Sequence, residues 1–113
     1  MLHASLVIER LGISGRDLAL EYGTVMVVAR AEFSELDWEV LARTVETHPI
    51  ARGTHDVTLA CVDAVEDPDA AEGARLVRRA MSGPAFLVRV VDRTLVLRGT
   101  GSLEGFDLGL LRG

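Results

Sequence analysis

The sequence predicts an α+β or α/β fold, a two-layer sandwich in which a mixed sheet of about five to six strands carries two helices mainly on one face. Several apolar runs alternate at the period of a strand, two segments begin with helix-capping residues, and a two-residue turn joins the last pair of predicted strands. The predicted order of elements is β-β-(β)-α-β-α-β-β. Because two helices cannot cover both faces of so wide a sheet, we expect an apolar remainder that is buried by something else.

The amino-terminal third is predicted to be extended. Residues 2–9 alternate apolar and polar side chains, which is typical of a half-buried strand. Residues 12–17 read Gly-Ile-Ser-Gly-Arg-Asp, a composition that favours a turn. Residues 18–31 are rich in valine and predict a further strand, which Gly23 divides through a bulge or a tight turn.

The first helix is predicted over residues 34–47. Ser34 can cap its amino terminus, and Asp37 lies three residues later, in the position of a capping box. Phe33 fits the first position of a hydrophobic staple, and Pro49 ends the helix. An apolar stripe at helical spacing follows the cap. The stripe consists of Trp38, Leu41, Ala42 and Val45.

A central strand and the second helix are predicted next. Residues 56–65 are apolar on both faces, which is typical of a strand in the middle of a sheet. Asp67 and Pro68 then predict a helix start, because aspartate caps a helix and proline favours its first position. The Gly83-Pro84 pair ends this helix.

The carboxy-terminal part is predicted to be a hairpin followed by a tail. Residues 85–91 and 94–98 form the hairpin across Asp92 and Arg93. Residues 1–98 are therefore expected to form one domain. Residues 99–113 are rich in glycine and form a tail that is either a docked strand or a flexible connection.

Composition excludes several function classes. All 12 Lys and Arg positions are arginine, which excludes a Schiff-base lysine and a lysine that grips phosphate. The net charge of −5 disfavours nucleic acid and anionic membranes as partners. A lone cysteine, Cys61, suits a reducing compartment, and the amino terminus does not resemble a signal peptide, so we expect a cytoplasmic protein.

His48, His55 and Cys61 are the only group with metal-like residue types. Their spacing matches no compact ligand pair, so we expect a buried thiol and two solvated histidines, with no metal and no cofactor. No serine lies in a recognised nucleophile motif, which favours a non-catalytic domain without deciding the question. Whether the three side chains converge in the fold is left open.

Asp63 and an arginine cluster are the remaining candidates. Asp63 is a carboxylate on an otherwise apolar strand, and it is interpreted either as a site residue or as an Arg-paired residue. Arg75, Arg78 and Arg79 would form a ridge on the second helix, suited to carboxylate or phosphate, or would simply be a solvated face.

These observations predict a non-catalytic, cytoplasmic protein–protein interaction domain of the adaptor, immunity-type or regulatory kind, with a second copy of itself as one partner. The expected interaction surface combines the arginine ridge with the apolar side chains of the tail. Its members are Arg75, Arg78, Arg79, Leu103, Phe106, Leu108 and Leu110.

The alternative is a small-molecule or anion-binding domain with weak enzymatic activity. Its polar contacts would be His55, Asp63 and Arg75, near the ends of the parallel strands.

Overall fold

The computed structural model describes residues 1–30 and 35–113, which form seven β-strands and one short 3-10 helix. The strands pair antiparallel throughout, in the order β2-β1-β3-β4-β7-β6-β5. A further pairing between β1 and β5 joins the two sides of this sheet, so that six strands close into a barrel and β2 extends one corner. The strands are β1 Leu2–Ile13, β2 Arg16–Leu18, β3 Leu20–Ala29, β4 Asp37–Thr44, β5 Gly53–Glu66, β6 Ala74–Val91 and β7 Thr94–Gly99.

The barrel encloses one aliphatic core. Alternate side chains of each strand point to opposite faces, and the inward set is mostly apolar. On β1, for example, Ala4, Leu6 and Ile8 are buried, while the residues between them are exposed. Trp38 is the one fully enclosed aromatic side chain of the described core, and its indole N–H donates to the carbonyl oxygen of Gly101 at 2.9 Å.

The predicted α+β sandwich is wrong. No α-helix occurs among the described residues, and every strand pairing is antiparallel, so parallel strands with crossover helices are absent from this part of the chain. The sheet covers its own inner face by closing, and no layer of helices is required to bury it. We expected an uncovered apolar sheet face because two helices cannot cover an open sheet. That reasoning does not apply to a closed sheet without helices.

The first predicted helix is replaced by β4. Trp38, Val40 and Ala42 are buried at a period of two, while Leu41 between them is 42% exposed. This stretch also satisfies helical spacing, so the pattern is ambiguous by itself. Pairing with β3 on one side and β7 on the other satisfies the backbone of β4 and selects the strand. The predicted staple and cap, Phe33 and Ser34, lie outside the described residues.

The second predicted helix is replaced by a hairpin between β5 and β6. The two strands pair over fourteen residues each, from Gly53 opposite Leu87 to Glu66 opposite Ala74. Asp67 does accept a local hydrogen bond at 3.0 Å, from the amide of Asp69, but within a turn and not at a helix start. The long β5 ladder overrides the local helix-start signal, as tertiary pairing commonly overrides propensity.

The strands predicted over residues 2–9 and 56–65 are confirmed, although both are longer than expected. The hairpin across Asp92 and Arg93 is also confirmed, since Val91 pairs with Thr94. Asp92 has a φ of 59°, in the left-handed region that short polar residues tolerate in tight turns.

The carboxy-terminal tail crosses one end of the barrel. It pairs with β6 through Ser82 and Glu104 and with β1 through His3 and Arg112. The 3-10 helix Leu108–Leu110 lies between these contacts, and the carboxylate of Asp107 caps it by accepting from the amide of Gly109 at 2.9 Å. None of the described helices has the length and apolar character needed to cross a membrane.

Gly99 gives the first testable prediction. A β-carbon at this position would overlap the indole ring of Trp38, which is buried and is held by the hydrogen bond from its N–H to Gly101. We expect Gly99→Ala to lower the free energy of unfolding by about 1–3 kcal/mol, the usual cost of overpacking a core. Urea denaturation measures the change. Thr100→Ala, at the exposed neighbour, is the control, and equal midpoints for the two variants would show that Gly99 does not limit the packing of Trp38.

Candidate functional site

A cleft opens at the barrel end where β1 and β5 separate. The ladder between them ends at the Val7–Val62 pair, but β1 continues back to Leu2 and β5 continues on to Glu66. The tail crosses the resulting gap. The space between the two strands and the tail, here called the mouth cleft, has a volume of about 760 Å³. Its lining combines charged side chains with an apolar wall of Ala4, Leu6 and Leu110.

Arg79 is the central charged group of the mouth cleft. It lies opposite the buried Cys61 in the β5–β6 ladder, so its side chain points to the inner face of the barrel. Its two terminal nitrogens approach the carboxylates of Asp63 and Asp107, each at 3.5 Å. These distances are long for charge-assisted hydrogen bonds, which are usually 2.7–2.9 Å. The Nε atom is buried and has no hydrogen-bond partner among the described residues.

Asp63 is thus an Arg-paired residue, one of the two interpretations that the sequence left open. Its side chain is 23% exposed and that of Arg79 is 22% exposed, so the pair is largely withdrawn from water. Asp63 lies on an antiparallel strand, which means that the expected gathering of sites at parallel strand ends does not apply here. It lies instead at the boundary between the closed barrel and the open mouth cleft.

The three arginines of the predicted ridge do not share a face. Arg78 points outward and pairs with Glu9 at 3.1 Å, whereas Arg79 points inward. Arg75 lies near the tip of the hairpin and pairs with Asp67 at 3.5 Å. Residues that would adjoin on a helix alternate between the faces of a strand, and this is why the ridge is wrong.

His55 lies far from Asp63. Eight residues of extended strand separate them, a distance of about 26 Å along β5. The imidazole Nδ1 lies 2.8 Å from the hydroxyl oxygen of Ser14, and Nε2 lies 2.6 Å from the carbonyl oxygen of Ala51. The alternative contact set of His55, Asp63 and Arg75 therefore does not converge.

Sequence reasoning missed the contact between Ser14 and His55. It recognised the turn that holds Ser14, whose φ is 49°, but nothing local signals a partner 41 residues away. The contact fixes the β1–β2 turn to the start of β5. His48 and Cys61 are not part of it, and the described residues contain no group of three side chains suited to a metal ion.

The tail residues of the predicted interaction surface divide into buried and exposed sets. Leu103 is 7% exposed and belongs to the core, while Phe106 and Leu110 are partly buried against it. Leu108 is 65% exposed. Three of these four tail side chains therefore pack against the barrel of the same chain, and only Leu108 remains well exposed.

The outer surface of the barrel carries an apolar patch that the sequence analysis did not single out. Val7 lies beside Val62 on one flank and beside Thr24 on the other, and Thr24 lies beside Leu41. These side chains all point outward. We call the patch the outer belt; its members are Val7, Met26, Leu41, Val62, Leu76 and Val96.

The chain matches no protein-family model, no curated protein and no solved structure.

Leu103 tests whether the tail is part of the folded domain. Leu103→Ala removes a buried side chain and is expected to cost about 2–5 kcal/mol of unfolding free energy. Leu108→Ala is the matched control on the same tail and should change stability by less than about 0.5 kcal/mol, because that side chain is exposed. Chemical denaturation of both variants checks this, and a Leu103→Ala variant as stable as the control would contradict the docked tail.

Cys61 predicts a loss of stability in alkaline solution. Burial raises the pKa of its thiol from 9.0 to about 11, because the thiolate would have no water around it. Its contribution is complete below pH 9, where the thiol is neutral in both states. It is lost as pH rises from about 9 to 11, since only the unfolded thiol then ionises; the total is on the order of 2–3 kcal/mol.

The measurement is the unfolding free energy of the wild type and of Cys61→Ala between pH 8 and 11. The substitution lowers stability at every pH through the cavity it leaves, but its curve should fall less steeply above pH 9. Parallel curves would show that the thiol does not titrate as described.

Proposed function

We propose that this chain is a protein-interaction domain that pairs with a second copy of itself through the outer belt. The observation that carries the proposal is the exposure of large apolar side chains that adjoin one another across neighbouring strands. Val7 is 61% exposed, Met26 54%, Leu41 42% and Leu76 63%. Contiguous apolar patches of this kind, rimmed by polar groups, are characteristic of surfaces that bind other proteins.

The register of the barrel makes the belt continuous. The middle of the row is formed by Val7, Thr24 and Leu41, successive partners on three neighbouring strands, and carries no formal charge. The row continues around the barrel to Val62 on one side and Val96 on the other. Met26 lies diagonally beside this row, and Leu76 shares a groove with Val7 and Val62. Folding does not require these positions to be apolar, because they face away from the core.

The charges around the belt favour a second copy as the partner. Two molecules of net charge −5 repel each other unless the surfaces that come into contact have little net charge of their own. On one side of the belt Glu39 pairs with Arg98 at 3.3 Å, and on the other Glu21 pairs with Arg43 at 3.0 Å. Each rim thus holds both signs, so a two-fold arrangement can set the arginine of one copy against the glutamate of the other.

The rim on the Glu21 side is held in place by a small network. Arg93 donates to the carboxylate of Glu21 at 2.7 Å and to the carbonyl oxygen of Val45 at 2.9 Å. The hydrogen bond from Arg93, together with Arg43, holds the pKa of Glu21 below its ordinary value. The two arginines thus favour the ionised carboxylate, and the three side chains together give this rim charges of both signs.

A stable pair needs more than the belt itself. Specific interfaces bury about 800 Å² on each partner, whereas the largest apolar patch on an ordinary monomer is roughly 300–600 Å². The ion-paired rims would supply the remaining area, as polar rims do in other interfaces. We assign the pair to the cytoplasm, since the one cysteine is buried and has no second thiol in the chain to bond with.

Leu41→Glu tests the pair. The substitution adds a charge at the centre of the belt, and we expect it to weaken self-association at least tenfold. Sedimentation velocity at high micromolar concentration measures the dissociation constant. Leu108→Glu is the control, because it introduces the same charge at an exposed leucine outside the belt.

The wild type and Leu108→Glu should then sediment as dimers while Leu41→Glu sediments as a monomer, with unchanged circular dichroism for all three. A wild type that remains monomeric at high micromolar concentration would rule out the proposal. Dimers of equal stability in both variants would remove the belt as the interface.

A further inference from the structure

We propose that the mouth cleft binds a small zwitterion, a molecule that carries both a carboxylate and a protonated amine, as a free amino acid does. The proposal rests on the groups that the cleft leaves unsatisfied. It does not depend on self-association, because the cleft is built from one chain.

Arg79 supplies the donor for the carboxylate. Its Nε–H is buried and without a partner among the described residues, so the protein does not fully satisfy this guanidinium group. Both terminal nitrogens hold only long contacts to Asp63 and Asp107. A ligand carboxylate that enters the cleft can accept from the two terminal nitrogens together, in the bidentate geometry that guanidinium groups favour.

Backbone groups on both sides of the gap add further partners. His3 exchanges two hydrogen bonds with Arg112 on the side of β1 that faces β5. Because this direction alternates along a strand, the N–H and C=O of Ser5 point the same way. On β5, Ala64 lies two residues after Val62, so its N–H and C=O point to the same side of the strand as those of Val62. Neither Ser5 nor Ala64 belongs to the β1–β5 ladder, so their backbone groups face the gap.

The balance of charge selects a zwitterion over a simple anion. The lining holds the carboxylates of Asp63, Glu66 and Asp107 against two guanidinium groups, so the cleft has a net charge of −1 when His3 is neutral. An anion alone would be repelled by the excess carboxylate. A ligand that also carries an ammonium group places one positive charge among those carboxylates, and the apolar wall accepts its side chain.

The ends of the opening limit the length of the ligand. The Val7–Val62 pair closes one end, and the His3–Arg112 bridge closes the other. Three residues of β1 lie between these two contacts, and the four steps from His3 to Val7 span about 13 Å. This accommodates an amino acid with its side chain and is too short for an added β-strand of ordinary length.

The experiment compares zwitterions with their separate halves. L-alanine and L-leucine each carry both charges, propionate carries only the carboxylate and ethylamine only the ammonium. An amino acid at ten times its dissociation constant should raise the Tm by roughly 5 °C, whereas propionate and ethylamine at equal concentration should not. Absence of a shift with either amino acid, or an equal shift with propionate, would overturn the proposal.

The variants locate the binding site. Arg79→Gln removes the proposed donor, and Arg78→Gln is the matched control, since it alters the adjacent arginine on the opposite face of the same strand. The amino-acid shift should be lost in Arg79→Gln and kept in Arg78→Gln; equal shifts in both would place the binding elsewhere.

A measurement on the wild type guards against a variant that fails to fold. The amide resonances of Ser5 and Ala64 should move on addition of L-leucine, while that of Thr100, which donates to the carbonyl oxygen of Pro84 and does not line the cleft, should not. Stationary resonances at Ser5 and Ala64 would contradict the site even if Arg79→Gln were unfolded.

Discussion

The pairing of β1 with β5 is the constraint on which the rest of the molecule depends. It runs from Val7 opposite Val62 to Ile13 opposite Val57, with a bulge between Ile8 and Arg10. Bulges increase local twist and bend a strand, which is what closing a six-stranded sheet requires. Once the sheet is closed, its inner face is covered on all sides and an all-β chain with few aromatic residues can bury a continuous aliphatic core.

The same pairing explains why there is a mouth cleft. The bonds to β5 extend over only the second half of β1, while the first half bonds to β3 alone on its other side. The two strands therefore leave a gap, and unpaired strand edges are a hazard that proteins usually cover. The tail covers part of this gap through Arg112 and fills part of the barrel end with Leu103. Its position is thus a consequence of incomplete closure.

Strands without a competing helix signal were predictable from the sequence, and strands with mixed signals were not. Residues 2–9 alternate apolar and polar side chains, and residues 56–65 are apolar on both faces; the Asp92-Arg93 turn is local. These predictions hold. Residues 38–45 fit both the helical period and the strand period. Asp67-Pro68 is as typical of a turn as of the first residues of a helix. In both cases pairing with distant strands decided the outcome, and a local pattern contains no information about such partners.

The candidate site was predictable only in its residue types. The sequence marks Asp63 as a carboxylate on an otherwise apolar strand and Arg79 as one of three clustered arginines, but their contact depends on the register of β5 against β6. The helical interpretation placed Arg79 beside Arg78 on one surface, whereas the strand separates them. The contact of Ser14 with His55 and the row from Val62 to Val96 depend on pairings between strands remote in sequence. Both proposed surfaces consist of cross-strand neighbours, and the order of residues along the chain does not show which strands pair.

The outer belt and the mouth cleft meet at one place in the structure. Val7 and Val62 belong to the belt, and they also form the last pair of the ladder that bounds the cleft. A groove of about 360 Å³ on the outer surface is lined by both of them and by Ser5, Asp63 and Leu76. A second copy seated on the belt would therefore rest against the outer opening of the gap. If occupancy of the cleft alters the spacing of these two strands, its effect on pairing must equal the effect of pairing on ligand affinity, because binding free energies around a closed cycle are reciprocal. Any coupling between the two surfaces would pass through the Val7–Val62 pair, which is the shortest connection between them.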